Sequence, residues 1–156
     1  MKPKVSPIPA GYHSITPYLI VDGAAKAIVF YEKALGAIVV MRMEMPNQKI
    51  GHAELSIGDS KFMLADEFPE MHTCSPRAYG GSPVGIHLYV ENVDEVVKQA
   101  VSCGAKLLQP VETKFYGDRN GAIEDPYGHK WYISTHVEDV PEEEIERRAA
   151  QASKKN

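Results

Sequence analysis

The sequence lacks the features that mark several large classes of protein. Its 156 residues carry 17 Lys and Arg against 21 Asp and Glu, and this acidic balance argues against a nucleic-acid-binding protein. No apolar run approaches the length of a membrane span, and prolines stand near the start, where a secretory signal places its apolar segment. We therefore expect a cytoplasmic protein that binds neither nucleic acid nor membrane.

Cysteine is scarce, and the signature loops of common enzyme classes are missing. Cys74 and Cys103 have no metal-binding spacing and make no disulfide framework. The sequence contains no GxSxG nucleophile elbow, no P-loop and no dinucleotide fingerprint, so hydrolase, kinase and dehydrogenase functions lack support. Hydrophobic residues make up 44% of the chain, which is enough for one domain with a core.

The most informative feature that is present is an internal duplication. LIVDGAAKAI begins at Leu19 and LYVENVDEVV begins at Leu88, an offset of 69 residues (88 − 19). KFML at Lys61 and KWYI at Lys130 repeat this offset of 69 (130 − 61). Two copies at so long a period indicate a duplicated module, because a solenoid needs at least three repeats.

Each copy has the same order of elements. A strand rich in β-branched and aromatic residues precedes an amphipathic helix, which a glycine ends at Gly36 or Gly104. Asp22 and Asn92 are the N-cap candidates of these helices. Three shorter strands follow each helix, so the sequence predicts βαβββ twice. The predicted strands are Thr16–Val21, Ala37–Glu44, His52–Ile57 and Lys61–Ala65 in the first copy, and Gly85–Val90, Lys106–Val111, Gly121–Glu124 and Lys130–Thr135 in the second.

These elements divide a single domain, residues 1–156, into four parts. Module one covers about 13–65, a linker covers 66–84, module two covers about 85–136, and a helical tail covers 137–156. A connection as long as this linker, with no structure of its own, is typical of a lid, a binding loop or a disordered link. The tail is acidic after Pro141 and basic at its end, which matches a helix dipole and predicts a surface helix.

Four segments, in this order, carry a resemblance that covers nearly the whole chain: TPYLIVDGAAKAIVFYEKALGA, GHAELSIGDSKFMLADE, GGSPVGIHLYVENVDE and GDRNGAIEDPYGHKWYISTHVEDV. They resemble the vicinal oxygen chelate superfamily, which includes glyoxalase I, bleomycin-resistance proteins and extradiol dioxygenases, and especially its PhnB-like branch. The resemblance implies an α+β fold in which two tandem βαβββ modules form a curled mixed-sheet cup, followed here by the C-terminal helix. It also implies a homodimer.

In the metalloenzymes of that superfamily a divalent ion sits in the cup, usually held by His, Glu or Gln. The four ligand positions fall on Thr16, Glu54, Gly85 and Tyr132. Only Glu54 matches outright, although His52 shares its strand face and His87 lies two residues after Gly85. His52, Glu54 and His87 could together mimic a site of two histidines and one carboxylate. The alternative is that these side chains line the cup through hydrogen bonds.

The stretch YGDRNGAIEDPYGHKW, residues 116–131, combines a structural turn with possible ligand contacts. DPYG fits a type I turn with Asp125 in its first position, so Asp125 is predicted to hold the turn. Asp118 and Arg119 are predicted to lie in the loop before the hairpin, where the mouth of the cup would be.

Without a metal the cup would still offer binding chemistry, because small-molecule pockets are mostly apolar with a few convergent polar groups. The candidate ligand-binding residues are Tyr18, Glu54, His87, Tyr89, Phe115, Arg119 and Tyr132. The first hypothesis is a protein that binds an apolar or aromatic small molecule, with no certain cofactor and no complete metal site. The alternative is a metal-dependent lyase, isomerase or dioxygenase that uses Glu54 with His52, His87 or both. A third hypothesis is an interaction module whose tail helix is the contact surface for a partner. Because these hypotheses include both binding proteins and enzymes, the sequence leaves open whether the protein is an enzyme.

Overall fold

The chain contains both predicted βαβββ modules, and a helix follows the second. The computed structural model describes residues 5–154, so residues 1–4 and the last two residues of the predicted tail, 155–156, lie outside the described part. The chain divides into two units between Gly81 and Ser82, inside the predicted linker, and each unit holds one module. The predicted α+β fold of two tandem modules and a C-terminal helix is confirmed.

Module one is a four-stranded mixed sheet with one helix. Its strand order is β1-β4-β3-β2, with β1 parallel to β4 and the other neighbours antiparallel. Alternate residues of the strands pack against the apolar stripe of the helix and form the core. The elements are β1 (Tyr18–Val21), α1 (Ala24–Leu35), β2 (Ile38–Glu44), β3 (Ile50–Ile57) and β4 (Ser60–Asp66).

Module two repeats this arrangement with the strand order β5-β8-β7-β6, and β5 is parallel to β8. Trp131, Ile133 and Ile123 are buried together with Val97 and Ala100 of its helix. The elements are β5 (Gly85–Tyr89), α2 (Val93–Ser102), β6 (Lys106–Thr113), β7 (Asp118–Glu124), β8 (Lys130–His136) and the tail helix α3 (Glu142–Ser153).

The start of α1 differs from the prediction that Asp22 is its N-cap. Gly23 occupies the N-cap in a left-handed conformation, φ 96°, which glycine adopts without steric cost. The carboxylate at this helix end belongs instead to Asp66, which accepts from the backbone N–H of Gly23 at 3.0 Å and of Ala24 at 2.9 Å. Asp66 reaches this point because it pairs with Val21 at the end of the parallel β1–β4 ladder.

The other predicted turns and caps agree with the structure. Asn92 accepts from the backbone N–H of Glu95 at 3.2 Å and caps α2 as expected, and Gly36 ends α1 in the left-handed conformation. Asp125 holds its own turn: its carboxylate accepts from the backbone of Tyr127 and His129. The same carboxylate also accepts from the indole N–H of Trp131, at 3.0 Å.

Two predictions about loops are wrong. The linker has secondary structure of its own, in two short 3₁₀ helices at Pro69–Met71 and Pro76–Tyr79. Strand β7 begins at Asp118 rather than at Gly121, because pairing with β8 continues to the Asp118–His136 position. Asp118 and Arg119 therefore lie in a strand, where neighbouring side chains point to opposite faces. No helix among residues 5–154 is both long and apolar enough to cross a membrane.

Candidate functional site

The polar candidates of module one lie on the sheet face opposite α1. Strand register places Tyr18 of β1, Met63 of β4 and Glu54 of β3 in one row. His52 shares the face of Glu54, since the two residues are two apart in β3. The Tyr18 hydroxyl lies 2.8 Å from His52 Nδ1, and His52 Nε2 lies 3.3 Å from Glu54 Oε1. The structure thus joins Tyr18, His52 and Glu54 in one hydrogen-bonded chain.

Tyr12 lies close to this chain, although sequence reasoning did not identify it. Its hydroxyl is buried and has no well-aligned hydrogen-bond partner among the described residues. Burial of this hydroxyl, followed by the effect of the nearby Glu54 carboxylate, raises the pKa of Tyr12 to about 12. The Tyr12 hydroxyl is in turn the main cause of the lowered pKa of Glu54, to which His52 and Lys61 also contribute against the opposing effect of burial. Lys61 Nζ lies 4.4 Å from the centroid of the Tyr12 ring. Glu54 is therefore an ionised group that the module already surrounds with donors.

In module two the corresponding sheet face carries stacked rings. The ring of His87 stacks on that of Tyr89, with 4.8 Å between centroids, and lies 6.4 Å from that of Tyr132. His87 Nε2 is 2.8 Å from Ser134 Oγ. Gly85 makes room for this arrangement, because a Cβ at that position would collide with the Tyr132 ring. Three of the predicted ligand-binding residues therefore form one cluster.

Beside this stack, His136 is held between two carboxylates. Its Nδ1 lies 2.7 Å from Asp118 Oδ1 and its Nε2 lies 2.8 Å from Asp139 Oδ1, while the Tyr89 hydroxyl donates to Asp118 Oδ2 at 2.8 Å. A carboxylate oxygen can only accept, so both ring nitrogens of His136 must carry hydrogen for both bonds to form. The hydrogen bonds to Asp118 and Asp139 accordingly raise the pKa of His136.

Asp118 is the buried member of this group. Burial alone would raise its pKa, but the hydrogen bonds from His136 and Tyr89 outweigh that effect and lower it. An open cavity of about 490 Å³ lies next to the group. The residues that line it are Tyr89, Tyr116, Asp118, His136, Asp139, Val140, Pro141 and Ile145. If β7 had been predicted to begin at residue 118, the alternation of side chains along a strand would have placed Asp118 on this face. No sequence signal pointed to Asp139.

Two further predicted ligand-binding residues lie apart from the stack. Arg119 points to the other face of β7 and forms a bidentate pair with Asp94 of α2, through two contacts of 2.7 Å, so its charge is already paired. Phe115 lies in the β6–β7 turn, where its ring meets that of Tyr116 edge-on at 5.3 Å. Ligand contacts by either residue stay predictions.

The donors predicted for a metal do not fit one. Both ring nitrogens of His52 face protein groups, and the Glu54 carboxylate is hydrogen-bonded to His52. Nε2 of His87 faces Ser134. Within residues 5–154, no group of three or more His, Cys, Asp or Glu side chains is arranged to hold an ion. A metal at His52 or Glu54 would have to break these hydrogen bonds first.

Comparisons with known proteins agree with this architecture. The family model described as Glyoxalase/Bleomycin resistance protein/Dioxygenase superfamily matches residues 11–133. An uncharacterized protein of Mycobacterium tuberculosis is 39% identical over 136 residues, which are 85% of this chain and 80% of that protein.

Two solved structures share the fold at lower identity. The first, described as a putative 3-demethylubiquinone-9 3-methyltransferase, PhnB protein, from Bacillus cereus, is 19% identical with a TM-score of 0.60, over 79% of this chain and 99% of that one. The second is the fosfomycin resistance protein FosX from Listeria monocytogenes, in complex with Mn(II) and sulfate. It is 16% identical with a TM-score of 0.62, over 87% of this chain and 97% of that one. Similarities at this level of identity concern the fold alone.

Proposed function

Because the chain belongs to the glyoxalase/bleomycin resistance protein/dioxygenase superfamily, we propose that it binds a small apolar or aromatic molecule and has no complete metal site. The ligand lies against the aromatic side chains on the open sheet face of module two. Cytoplasmic location, assembly as a homodimer and a place in the PhnB-like branch remain predictions from the sequence.

One observation carries this proposal: the ring stack of His87, Tyr89 and Tyr132 keeps a large exposed surface. Tyr89 is 60% exposed and Tyr132 is 36% exposed, although hydrogen bonds and stacking already fix the neighbouring groups. A flat ligand that covers about 100 Å² of apolar surface here would gain about 2.5 kcal/mol from that burial. Since the rings are held in place beforehand, little of this gain is lost in ordering them.

Polar groups beside the stack can orient such a ligand. His87 uses Nε2 for Ser134, and its Nδ1 has no hydrogen-bond partner within residues 5–154. A polar substituent on an aromatic ligand could pair with that nitrogen while its ring lies on Tyr89 or Tyr132. This combination of apolar walls and a few polar groups is typical of small-molecule sites.

The alternative, a metal-dependent lyase, isomerase or dioxygenase, would need Glu54 with His52, His87 or both. The bonds between Tyr18, His52 and Glu54 favour the binding protein over that enzyme, because they occupy the lone pairs and protons that a metal would compete for.

The binding test uses thermal unfolding with naphthalene, 2-naphthol and 2-naphthoate. We expect at least one of them to raise the melting temperature, because a ligand stabilises the state to which it binds. Tyr132→Leu should remove that shift, whereas Tyr79→Leu, which changes an exposed tyrosine of the linker, should keep it. Absence of a shift with all three compounds, or a shift that survives Tyr132→Leu, would refute binding at the stack.

Elemental analysis tests the alternative directly. Protein purified without a histidine tag should contain no stoichiometric Fe, Ni, Zn or Mn. A stoichiometric metal that is lost on Glu54→Gln would establish the metal-dependent reading and overturn ours.

A further inference from the structure

The cavity in module two has walls whose chemistry selects for positive charge. We propose that it binds a small organic ammonium ion, that is, an amine carried on an apolar or aromatic body. This inference deepens the proposed function and rests on it, since it gives the ligand a chemical class and a place next to Tyr89.

The cavity is lined by both polar and apolar side chains. The sheet contributes Tyr89, Asp118 and His136, and the turn before β7 contributes Tyr116. The segment that leads into α3, together with α3 itself, contributes Asp139 and the apolar residues Val140, Pro141 and Ile145. A ligand with a charged end and an apolar body can therefore contact groups that suit both of its parts.

The polar residues of the lining can mostly accept hydrogen bonds from a ligand, rather than donate them. Both N–H groups of His136 are used by Asp118 and Asp139, and the Tyr89 hydroxyl has given its hydrogen to Asp118. Of the lining side chains, Tyr116 alone keeps a hydroxyl hydrogen for a ligand, because its oxygen accepts from Asn120 Nδ2 at 3.2 Å. Carboxylate and phenol oxygens thus remain to accept hydrogen bonds from an ammonium group.

The charge of the cavity lining also favours a cationic ligand. Two carboxylates and one imidazolium give the lining a formal charge of −1, and two tyrosine rings offer the π faces that attract organic cations. Arg148 of α3, which donates to the carbonyl of Phe115 beside Tyr116, is itself paired with Glu138 and with Glu144. A carboxylate ligand would meet Asp118 and Asp139 with no unpaired cation to offset the repulsion.

The side chain that supports Tyr116 is buried. Asn120 is 7% exposed, and its Nδ2 donates to the Tyr116 hydroxyl oxygen, which holds that ring in the cavity lining.

The test compares three ligands of one shape and different charge: benzylammonium, benzyl alcohol and benzoate. Titrations followed by amide chemical shifts should show benzylammonium binding most tightly and benzoate most weakly, with the largest shifts at Asp139, Val140 and Ile145. Asp139→Asn removes one exposed charge from the lining and should weaken benzylammonium about two- to fivefold, the size of one solvent-exposed charge contact. It should leave benzyl alcohol unchanged. Asp59→Asn, in the exposed β3–β4 turn of module one, is the matched control and should change neither.

Failures of the two proposals can be told apart. Equal affinity for the three compounds, or no effect of Asp139→Asn, overturns the ammonium site even when the naphthalene probes bind through Tyr132. A preference for benzylammonium that Asp139→Asn reduces supports the ammonium site. This holds even if no naphthalene probe depends on Tyr132, in which case only the proposal of binding at the ring stack fails.

Discussion

Asp66 is the residue whose removal should most clearly expose how module one is held together. Its carboxylate accepts three backbone hydrogen bonds, from Gly23 at 3.0 Å, Ala24 at 2.9 Å and Ile50 at 2.7 Å. It thereby fixes the start of α1 and the start of β3 to the end of β4. The substitution Asp66→Ala removes the acceptor of these three N–H groups, and the alanine side chain provides no other acceptor.

The expected loss follows from burial. Ala24 and Ile50 are fully buried, and a buried N–H left unpaired costs about 1–3 kcal/mol. Gly23 is only partly buried, so water can replace its lost acceptor. Removal of a buried charge offsets part of the cost, and we expect the free energy of unfolding to fall by about 3 kcal/mol. For a chain of this length that is a fall in melting temperature of about 6–12 °C.

Urea unfolding followed by far-ultraviolet circular dichroism measures this loss. Asp59→Ala is the matched control, because Asp59 accepts from the exposed Ser60 hydroxyl in a turn and should cost little. If Asp66→Ala costs less than about 1 kcal/mol, the carboxylate does not satisfy these N–H groups in solution and the reasoning is refuted.

Two further predictions concern titration. The carboxylates of Asp118 and Asp139 raise the pKa of His136 above its ordinary 6.5, so its stabilising contribution is complete below about pH 6.5 and is lost as pH rises through the raised value. Melting temperatures of the wild type and of His136→Gln should therefore converge as the pH rises above about 6.5, and a constant gap would contradict this. Glu54→Gln should lower the pKa of Tyr12 from about 12 but not to its ordinary 10.0, because burial, the larger cause, persists. Titration of ¹³C-labelled tyrosine by NMR measures this value, and an unchanged value would show that Glu54 does not act on Tyr12.

Local patterns in the sequence predicted the order of elements well. The offset of 69 residues identified the two modules, and the Asp-Pro-x-Gly turn assigned Asp125 its structural role. The N-cap of α1 shows the limit of such patterns. Asp22 has the right residue type immediately before the helix, yet the acceptor comes from Asp66, 43 residues after Gly23. A contact between such distant residues depends on strand pairing that a local motif does not encode.

The start of β7 had a larger consequence for the site. Gly-Asp-Arg-Asn-Gly has the composition of a turn, so the strand was predicted from Gly121, but pairing with β8 extends it to Asp118. This difference moves Asp118 from an exposed loop to a buried position beside His136, and it turns Arg119 toward Asp94. One strand boundary thus decided which of two adjacent charged residues faces the cavity.

The two modules share their backbone plan but not their chemistry. At the offset of 69 residues, Tyr18 corresponds to His87 and Met63 corresponds to Tyr132. In the sheet, Glu54 pairs with Met63, and the residue that pairs with Tyr132 in the same way is Ala122.

Module one therefore has an acidic group in the row where module two has none, and module two instead places Asp118 further along β7, against His136. Equivalent positions of the two copies do not supply equivalent metal donors, and in each copy the donors that exist bond to groups of their own module. The sheet face of module two, with its exposed rings and acceptor-rich cavity, is the surface on which we propose that a small molecule binds.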